Sequence, residues 1–150
     1  MSRVIIRAVH RDDFDQWLPL WTGYNTFYLR QVPDEVTRTT WLRFFDAYEP
    51  VHAFVAEREG QLIGLVHYLF HRSTSMIEPV CYLQDLFTSP PARGEGVGRS
   101  LIEAVYDTAR DKGTTWVYWM THETNIRAMT LYDQVAEKPG FVQYRKEIDV

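Results

Sequence analysis

The chain has 150 residues, of which 45% are hydrophobic and 15% aromatic, and its net charge is −4. This length and composition are typical of one packed globule, so we expect a single domain over residues 1–150. Lysine and arginine form no run, which excludes a nucleic-acid-binding footprint and favours a cationic partner. The lone cysteine, Cys81, excludes an internal disulfide. Since no apolar segment has the length of a signal peptide or a membrane span, we expect a cytoplasmic protein without membrane contact.

The first fifty residues predict one strand and two helices. Residues 3–9 are rich in β-branched side chains and predict the strand. Asp12 and Asp13 then favour the start of a helix, which Pro19 should bend or interrupt. A loop is expected over residues 24–32, before a second helix that starts at Pro33-Asp34-Glu35. The apolar side chains available for the buried face of this second helix are Val36, Trp41, Leu42, Phe44 and Phe45.

From residue 51 onward the hydrophobic pattern is that of a sheet. Residues 51–58 and 61–72 are strand-like, and Glu59-Gly60 between them is a hairpin signal. Residues 79–88 predict a third strand of this group.

A crossover follows. The periodic helix over residues 98–112 ends at Gly113 and leads to a strand over residues 115–120. Strand, helix and strand with short links predict a parallel pair with a right-handed connection. The chain should end with a helix over residues 124–137 and a strand over residues 141–148. The expected fold class is mixed α/β, with a central, mostly antiparallel sheet, one parallel strand pair and flanking helices.

A glycine-rich loop precedes the periodic helix. Residues 93–98 read Arg-Gly-Glu-Gly-Val-Gly. The first backbone N–H groups of a helix lack intrahelical partners and lie at the positive end of its dipole, so they can bind a phosphate that glycine allows to come close. Arg93 and Arg99 add mobile positive charge. A P-loop is excluded because Arg99-Ser100 stands where Lys-Ser/Thr is required, and a dinucleotide fingerprint is excluded because its third glycine would fall on Arg99 or Leu101.

This loop resembles the acyl-CoA loop of the GNAT superfamily of N-acetyltransferases. Arg93, Gly96 and Gly98 match that family's pattern, Q/R-x-x-G-x-G/A. The flanking segments YLQDLFTSP and NIRAMTLYDQVAEKPGF are similar to the family's preceding strand and following helix, so the resemblance spans about residues 51–148. It implies the GNAT fold and the direct transfer of acetyl from acetyl-CoA to a primary amine. The chain looks most like the small-amine and histone-tail acetylating branch.

The resemblance also implies a co-substrate site and a proton donor. Acetyl-CoA would pair its pantetheine arm with the main chain at the end of the strand over residues 79–88. Tyr132 would protonate the departing thiolate, since a phenol stays protonated at neutral pH. Asn125, two helical turns away, would contact the cofactor. Packing is the alternative role of Tyr132, and helix capping that of Asn125. The expected cofactor-binding residues are Leu86, Phe87, Thr88, Arg93, Gly94, Glu95, Gly96, Val97, Gly98, Arg99, Asn125 and Tyr132.

The general base has several candidates. A primary amine is mostly protonated at neutral pH, so a group must remove its proton. Many relatives use a glutamate in the strand before the loop, where this chain has Gln84, whose amide cannot be a base. Asp85 is adjacent, but neighbouring strand residues point to opposite faces. The catalytic candidates are therefore Asp85 and Glu123 beside Tyr132, with His122 as a further option. Solvation or capping is the alternative role of each.

Aromatic residues are expected to frame the acceptor. In similar proteins the segment between the first two helices covers the acceptor cleft, which implies Tyr24 and Tyr28 as substrate residues. Gln84, in the strand before the glycine loop, is the third expected substrate residue. Asp34 and Glu35, together with the net negative charge, would then favour an amine with a second positive centre.

Two alternatives to a small-amine N-acetyltransferase stay open. The acceptor could instead be a protein lysine or N-terminus, which an open groove would favour. A non-catalytic acyl-CoA-binding module is the other, favoured by Gln84 and opposed by Tyr132. A homodimer is also left open. His67 and His71 lie four residues apart, but on a strand without further ligands they predict no metal site, so no metal cofactor is expected.

Overall fold

The computed structural model describes residues 2–149. Its strands are Ile5–Ala8 (β1), Val51–Arg58 (β2), Gln61–His71 (β3), Val80–Thr88 (β4) and Val117–Tyr118 (β5). Its α-helices are Phe14–Phe27 (α1), Asp34–Arg43 (α2), Val97–Asp111 (α3) and Ile126–Val135 (α4). None of these helices is long and apolar enough to cross a membrane. The chain divides into two compact units, the first ending at Met120 and the second beginning at Thr121.

The first unit contains a five-stranded sheet in the order β1-β2-β3-β4-β5. The three pairings from β1 to β4 are antiparallel, and β4 and β5 are parallel. The turn between β2 and β3 has left-handed backbone at both Glu59 and Gly60, with φ of 52° and 78°. Two such residues match the right-handed twist of a hairpin. The predicted fold class and hairpin are therefore confirmed.

Helix α1 differs from its prediction in two ways. It continues through Pro19, although a proline was expected to bend or interrupt it. The missing N–H of Pro19 would have bonded the carbonyl of Asp15, and both residues are exposed, so water can serve that carbonyl. The helix also runs on to Phe27 where a loop was predicted, because Tyr24 and Asn25 pack into the core.

Helix α2 buries a narrow face. Trp41 is 8% exposed and lies one turn after the buried Thr37, as the i, i+4 spacing requires. The prediction was wrong for Val36 and Leu42, which are 48% and 61% exposed. Thr37 and Trp41 are the residues that this ten-residue helix buries. The expected Phe44 and Phe45 follow the helix and are partly buried against the core.

Aromatic rings fill the core beneath α1. Trp17 is fully buried, and its ring centroid lies 5.8 Å from that of Trp21 and 4.9 Å from that of Trp41. Helix α3 packs closely on the sheet at Gly64, where an added Cβ would meet Leu101, Val97 and the carbonyl of Phe87 at 3.1 Å. This close approach sets the height of the α3 N-terminus relative to the end of β4.

The second unit contains α4, followed by residues 136–149, which form neither helix nor strand. The prediction of a strand over residues 141–148 was wrong, since the described residues up to Asp149 form none there. A strand needs a neighbour to pair its backbone, and the side chains of Phe141 and Tyr144 are 85% and 93% exposed. Strand β5 in the first unit is likewise shorter than predicted, since only Val117 and Tyr118 pair with β4.

Candidate active site

The glycine loop lies at the start of α3 as the sequence predicts. Gly94 and Gly96 have left-handed backbone, with φ of 82° and 83°, and Gly96 is the N-cap of α3. A Cβ added at either glycine would meet nothing within 4 Å. The first turn of α3 carries no acidic side chain. The helix start therefore offers open space and a positive dipole end, the two features that an anionic ligand needs.

Arg93 anchors the loop to the end of β4. Its Nε donates to the carbonyl oxygen of Thr88 at 3.0 Å. Its guanidinium carbon lies 5.3 Å from the ring centroid of Phe87. The expected mobile charge is in fact a held one. Glu95, on the other side of the loop, pairs with Arg58 at 3.2 Å and is exposed.

Strand β4 leaves the parallel pair before it reaches the loop. Its ladder with β5 covers only Cys81 opposite Val117 and Tyr82 opposite Tyr118. On its other side β4 stays paired with β3 as far as Thr88, opposite Gly64. Among the described strands, the later part of β4 therefore has a neighbour on one side only. Such an edge can pair with an extended ligand through main-chain groups, and Leu86, Phe87 and Thr88 lie on it.

A β-bulge in β4 gives the adjacent residues Gln84 and Asp85 different surroundings. The pairing shifts so that His67 faces Asp85 and Tyr68 faces Leu83, which leaves Gln84 as the extra residue. Gln84 is exposed, whereas Asp85 is only 7% exposed. The buried Asp85 is paired, because its Oδ2 lies 2.9 Å from Nδ1 of His67.

Tyr24 connects this part of β4 with the end of α1. Its hydroxyl lies 3.5 Å from the carbonyl oxygen of Gln84. Burial, and then the negative charge of Asp85, raise the pKa of Tyr24 well above its usual range. Burial followed by the same carboxylate also raises the pKa of Tyr82. Both phenols therefore stay protonated at neutral pH and can donate.

Arg30 adds a fixed cation above the two predicted substrate tyrosines. Its guanidinium carbon lies 5.2 Å from the ring centroid of Tyr24 and 5.8 Å from that of Tyr28. The oxygen Oδ1 of the buried Asn25 accepts from Nε and Nη2 of Arg30 at 3.2 and 2.8 Å. Leu29, with a left-handed φ of 56°, turns the chain back so that these contacts form. The third nitrogen, Nη1, is not engaged by Asn25.

The two acidic residues expected to favour a cationic acceptor lie at the start of α2. Asp34 and Glu35 lie in its first turn and are exposed. Carboxylates at that position stabilise the positive end of the helix dipole. They therefore have a structural role that needs no ligand.

The second unit carries the other predicted residues. Asn125 is the N-cap of α4, but its side chain does not cap the helix; its Nδ2 donates to Oγ1 of Thr121 at 3.1 Å. Tyr132 lies within α4 and is half-buried. Glu123 and His122 lie in the turn before the helix and are exposed. Tyr132 thus lies in α4 and Asn125 at its N-cap, and the roles of both stay predictions.

Comparison with known proteins decides the family. The model of the acetyltransferase (GNAT) family matches residues 14–136. The chain belongs to the GNAT family. It is an acetyltransferase, as the loop predicts, and the matched residues include most of the first compact unit and the part of the second that contains α4.

Individual GNAT relatives agree with this assignment. The D-amino-acid N-acetyltransferase HPA3 of Saccharomyces cerevisiae is 39% identical over 147 residues, which are 97% of this chain and 91% of that protein. The uncharacterized N-acetyltransferase YhfO of Bacillus subtilis is 32% identical and matches 93% of this chain and 94% of its own length. The structure of AAC(6')-Iy in complex with a bisubstrate analog, CoA-S-monomethyl-acetylneamine, has a TM-score of 0.85 at 20% identity, covering 99% of this chain and 100% of that one. This last likeness shows the GNAT fold.

Three features of the candidate site could not be read from the sequence. The spacing of His67 raises only the question of a metal ligand, yet His67 pairs with Asp85. No sequence pattern indicates Arg30, because its position over Tyr24 depends on the left-handed turn at Leu29. The bulge at Gln84 was also missed, since nothing in the strand pattern marks an extra residue.

Proposed function

We propose that this acetyltransferase moves the acetyl group of acetyl-CoA to the amino group of a small, carboxylate-bearing amine of the amino-acid class. The observation that carries the acceptor class is the position of Arg30, a held guanidinium above Tyr24 and Tyr28. Guanidinium groups recognise carboxylates through paired, charge-assisted hydrogen bonds. The name of the yeast relative, a D-amino-acid N-acetyltransferase, points to the same class.

The donor is proposed from the glycine loop. The open backbone at Gly94 and Gly96 fits a pyrophosphate on the first N–H groups of α3, and no acidic side chain in the first turn of α3 opposes it. The edge of β4 at Leu86, Phe87 and Thr88 fits a pantetheine arm. Acetyl-CoA, when bound, supplies the activated acetyl group. Arg93 would act by holding the loop against Thr88 rather than by binding the phosphate as a mobile side chain.

The chemistry requires three proton transfers: one from the ammonium before attack, one from the same nitrogen as the amide forms, and one to the departing thiolate. We assign Asp85 as the acceptor of the ammonium proton, directly or through water, because its buried carboxylate lies at the end of β4 among donors. The freed amine attacks the thioester carbon, the carbon–nitrogen bond forms, the carbon–sulfur bond breaks, and the acylated nitrogen gives its second proton to water as the amide forms. We assign Tyr132 as the donor to the departing thiolate on the motif NIRAMTLY alone. Glu123 is the alternative to Asp85 as base.

This function differs from the expectation of an amine with a second positive charge. Asp34 and Glu35 carried that expectation, and they serve the α2 dipole. Arg30 would instead repel a second ammonium near Tyr24.

The test is an assay of thiol release from acetyl-CoA by the purified protein. The acceptors are D- and L-amino acids, the amide of each, polyamines, aminoglycosides and basic peptides. Free amino acids should have a higher kcat/KM than their amides, which lack the carboxylate. Equal turnover of acids and amides would contradict the acceptor class. Preferred turnover of basic peptides would favour a protein acetyltransferase, and binding of acetyl-CoA without any turnover would favour a non-catalytic module.

A further inference from the structure

Three buried side chains form a hydrogen-bonded chain beneath α1. Nε1 of Trp17 donates to Nε2 of His67 at 3.1 Å, and Nδ1 of His67 lies 2.9 Å from Oδ2 of Asp85. Trp17 and His67 are 0% and 2% exposed. Each comes from a different element, α1, β3 and β4, so that the chain of bonds forms only when the sheet and α1 are in place.

The hydrogen-bond donors determine the state of the imidazole. An indole nitrogen can only donate, so Nε2 of His67 must accept and carries no proton. The proton of the neutral ring is then on Nδ1, which donates to the carboxylate of Asp85. Trp17 thus selects the one neutral tautomer of His67 that can donate to Asp85. The other neutral tautomer would place the lone pair of Nδ1 against the carboxylate.

Burying a chain of polar groups in the core opposes folding. Buried polar groups cost free energy unless each is paired, and the neighbours of Trp17 are aromatic rings that would pack equally well against an apolar side chain. The chain ends at the residue after the bulge, beside the Tyr24 hydroxyl, which is the part of β4 assigned above to the acceptor. These facts favour a role in chemistry over a role in packing.

We propose that His67 is a positioning residue that keeps the carboxylate of Asp85 oriented to take the ammonium proton of the acceptor, with Trp17 fixing the tautomer of His67. The inference rests on the proposed function. In the step itself the proton leaves the ammonium nitrogen, its bonding pair stays on that nitrogen, and a carboxylate oxygen of Asp85 gains the proton. His67 keeps its own proton on Nδ1 throughout and continues to donate to Asp85.

Two acceptors separate proton removal from other steps. A D-amino acid has a protonated amine at neutral pH, whereas an aminooxy acid keeps the carboxylate but has a nitrogen that is already uncharged. Only the amino acid therefore needs a base to free its nitrogen before attack. The ratio of their kcat values therefore reports proton removal, and a general loss of structure lowers both values together.

Two variants of His67 test the bond to Asp85. His67→Leu removes the donor, and the kcat ratio of amino acid to aminooxy acid should fall about tenfold or more. His67→Asn should restore part of the ratio, because its amide nitrogen is bonded to Cγ, as Nδ1 is in histidine. An unchanged ratio in both variants would overturn the role of His67. If wild type released thiol with neither acceptor, the proposed function itself would fail.

A matched pair of tryptophan variants tests the tautomer. Trp17→Phe removes the donor to His67, while Trp21→Phe removes a similar buried donor, to Oγ1 of Thr37 at 3.1 Å. Both lose one indole N–H from the same core, and thermal unfolding measures how much each is destabilised. The kcat ratio should fall in Trp17→Phe and stay at the wild-type value in Trp21→Phe. Equal ratios in the two variants would overturn the role of Trp17.

Discussion

Arg93 holds the glycine loop by donating from Nε to the carbonyl oxygen of Thr88, 3.0 Å away. The planar guanidinium also lies against the ring of Phe87. One side chain thus links the last residue of β4 to the loop that begins α3. The spacing between the two proposed binding segments, for pantetheine and for pyrophosphate, depends on this link.

Removing the link should weaken acetyl-CoA binding. In Arg93→Ala we expect the Kd measured by calorimetry to rise about tenfold, the effect of losing one charge-assisted hydrogen bond. Arg93→Lys should bind nearly as poorly, because an ammonium cannot reproduce the planar Nε contact. Arg38→Ala, an exposed arginine on α2, is the control. Wild-type affinity in Arg93→Lys would show that only the charge matters.

The loop glycine Gly96 should be more sensitive than its backbone strain alone predicts. Gly96→Asp adds a carboxylate where a pyrophosphate is proposed, and acetyl-CoA affinity should fall by well over the tenfold that corresponds to about 1.4 kcal/mol. Gly60→Asp is the matched control, since Gly60 also has a left-handed φ, 78°, and open space around it, but lies in the β2–β3 turn. Equal affinity in the two variants would contradict the assigned loop.

Local sequence patterns predicted the elements that position the site, and tertiary pairing determined the rest. The loop, α3 and the hairpin at Glu59-Gly60 depend on residues that are adjacent in the chain. The bond between His67 and Asp85 joins residues eighteen apart and depends on a bulge that shifts the register. Residues 141–148 have a pattern that suits a strand, yet they form none in the described chain, because a strand also needs a paired neighbour.

Arg30 should determine the preference for a carboxylate. In Arg30→Ala we expect KM for a D-amino acid to rise about tenfold or more, with KM for its amide nearly unchanged, because only the acid loses a charged partner. Arg38→Ala again controls for the loss of one positive charge. Parallel increases of KM for acid and amide would mean that Arg30 acts by supporting Tyr24 rather than by binding substrate.

Cys81 predicts a pH dependence of stability. Burial raises the pKa of its thiol to about 12 from an ordinary value of 9.0. The folded chain therefore holds the thiol proton more tightly than the unfolded chain. Its stabilising effect is complete below pH 9.0 and is lost as the pH rises towards 12. The free energy of unfolding of wild type, minus that of Cys81→Ala, should accordingly shrink across this range.

The neighbouring tyrosine Tyr68 must be removed from the comparison. Burial raises its pKa to about 12 and the charge of Cys81 adds to the shift, so both proteins should carry Tyr68→Phe. Since Cys81 is the chain's only cysteine, alkylation at mildly alkaline pH gives a second readout, and the folded protein should react slowly. A difference in unfolding free energy that stays constant with pH would contradict the prediction.

Tyr132→Phe tests the proposed proton donor. The substitution keeps the ring and removes only the hydroxyl, so acetyl-CoA affinity should change little. If the hydroxyl protonates the thiolate, kcat should fall by roughly 10²–10⁴-fold, as expected for the loss of a general acid. The measurement must be made by single turnover, where chemistry rather than release of CoA sets the rate. Tyr144→Phe, at a side chain that is 93% exposed, is the control and should keep the wild-type rate. A kcat within a few-fold of wild type in folded Tyr132→Phe would remove Tyr132 from the mechanism and restore packing as its role.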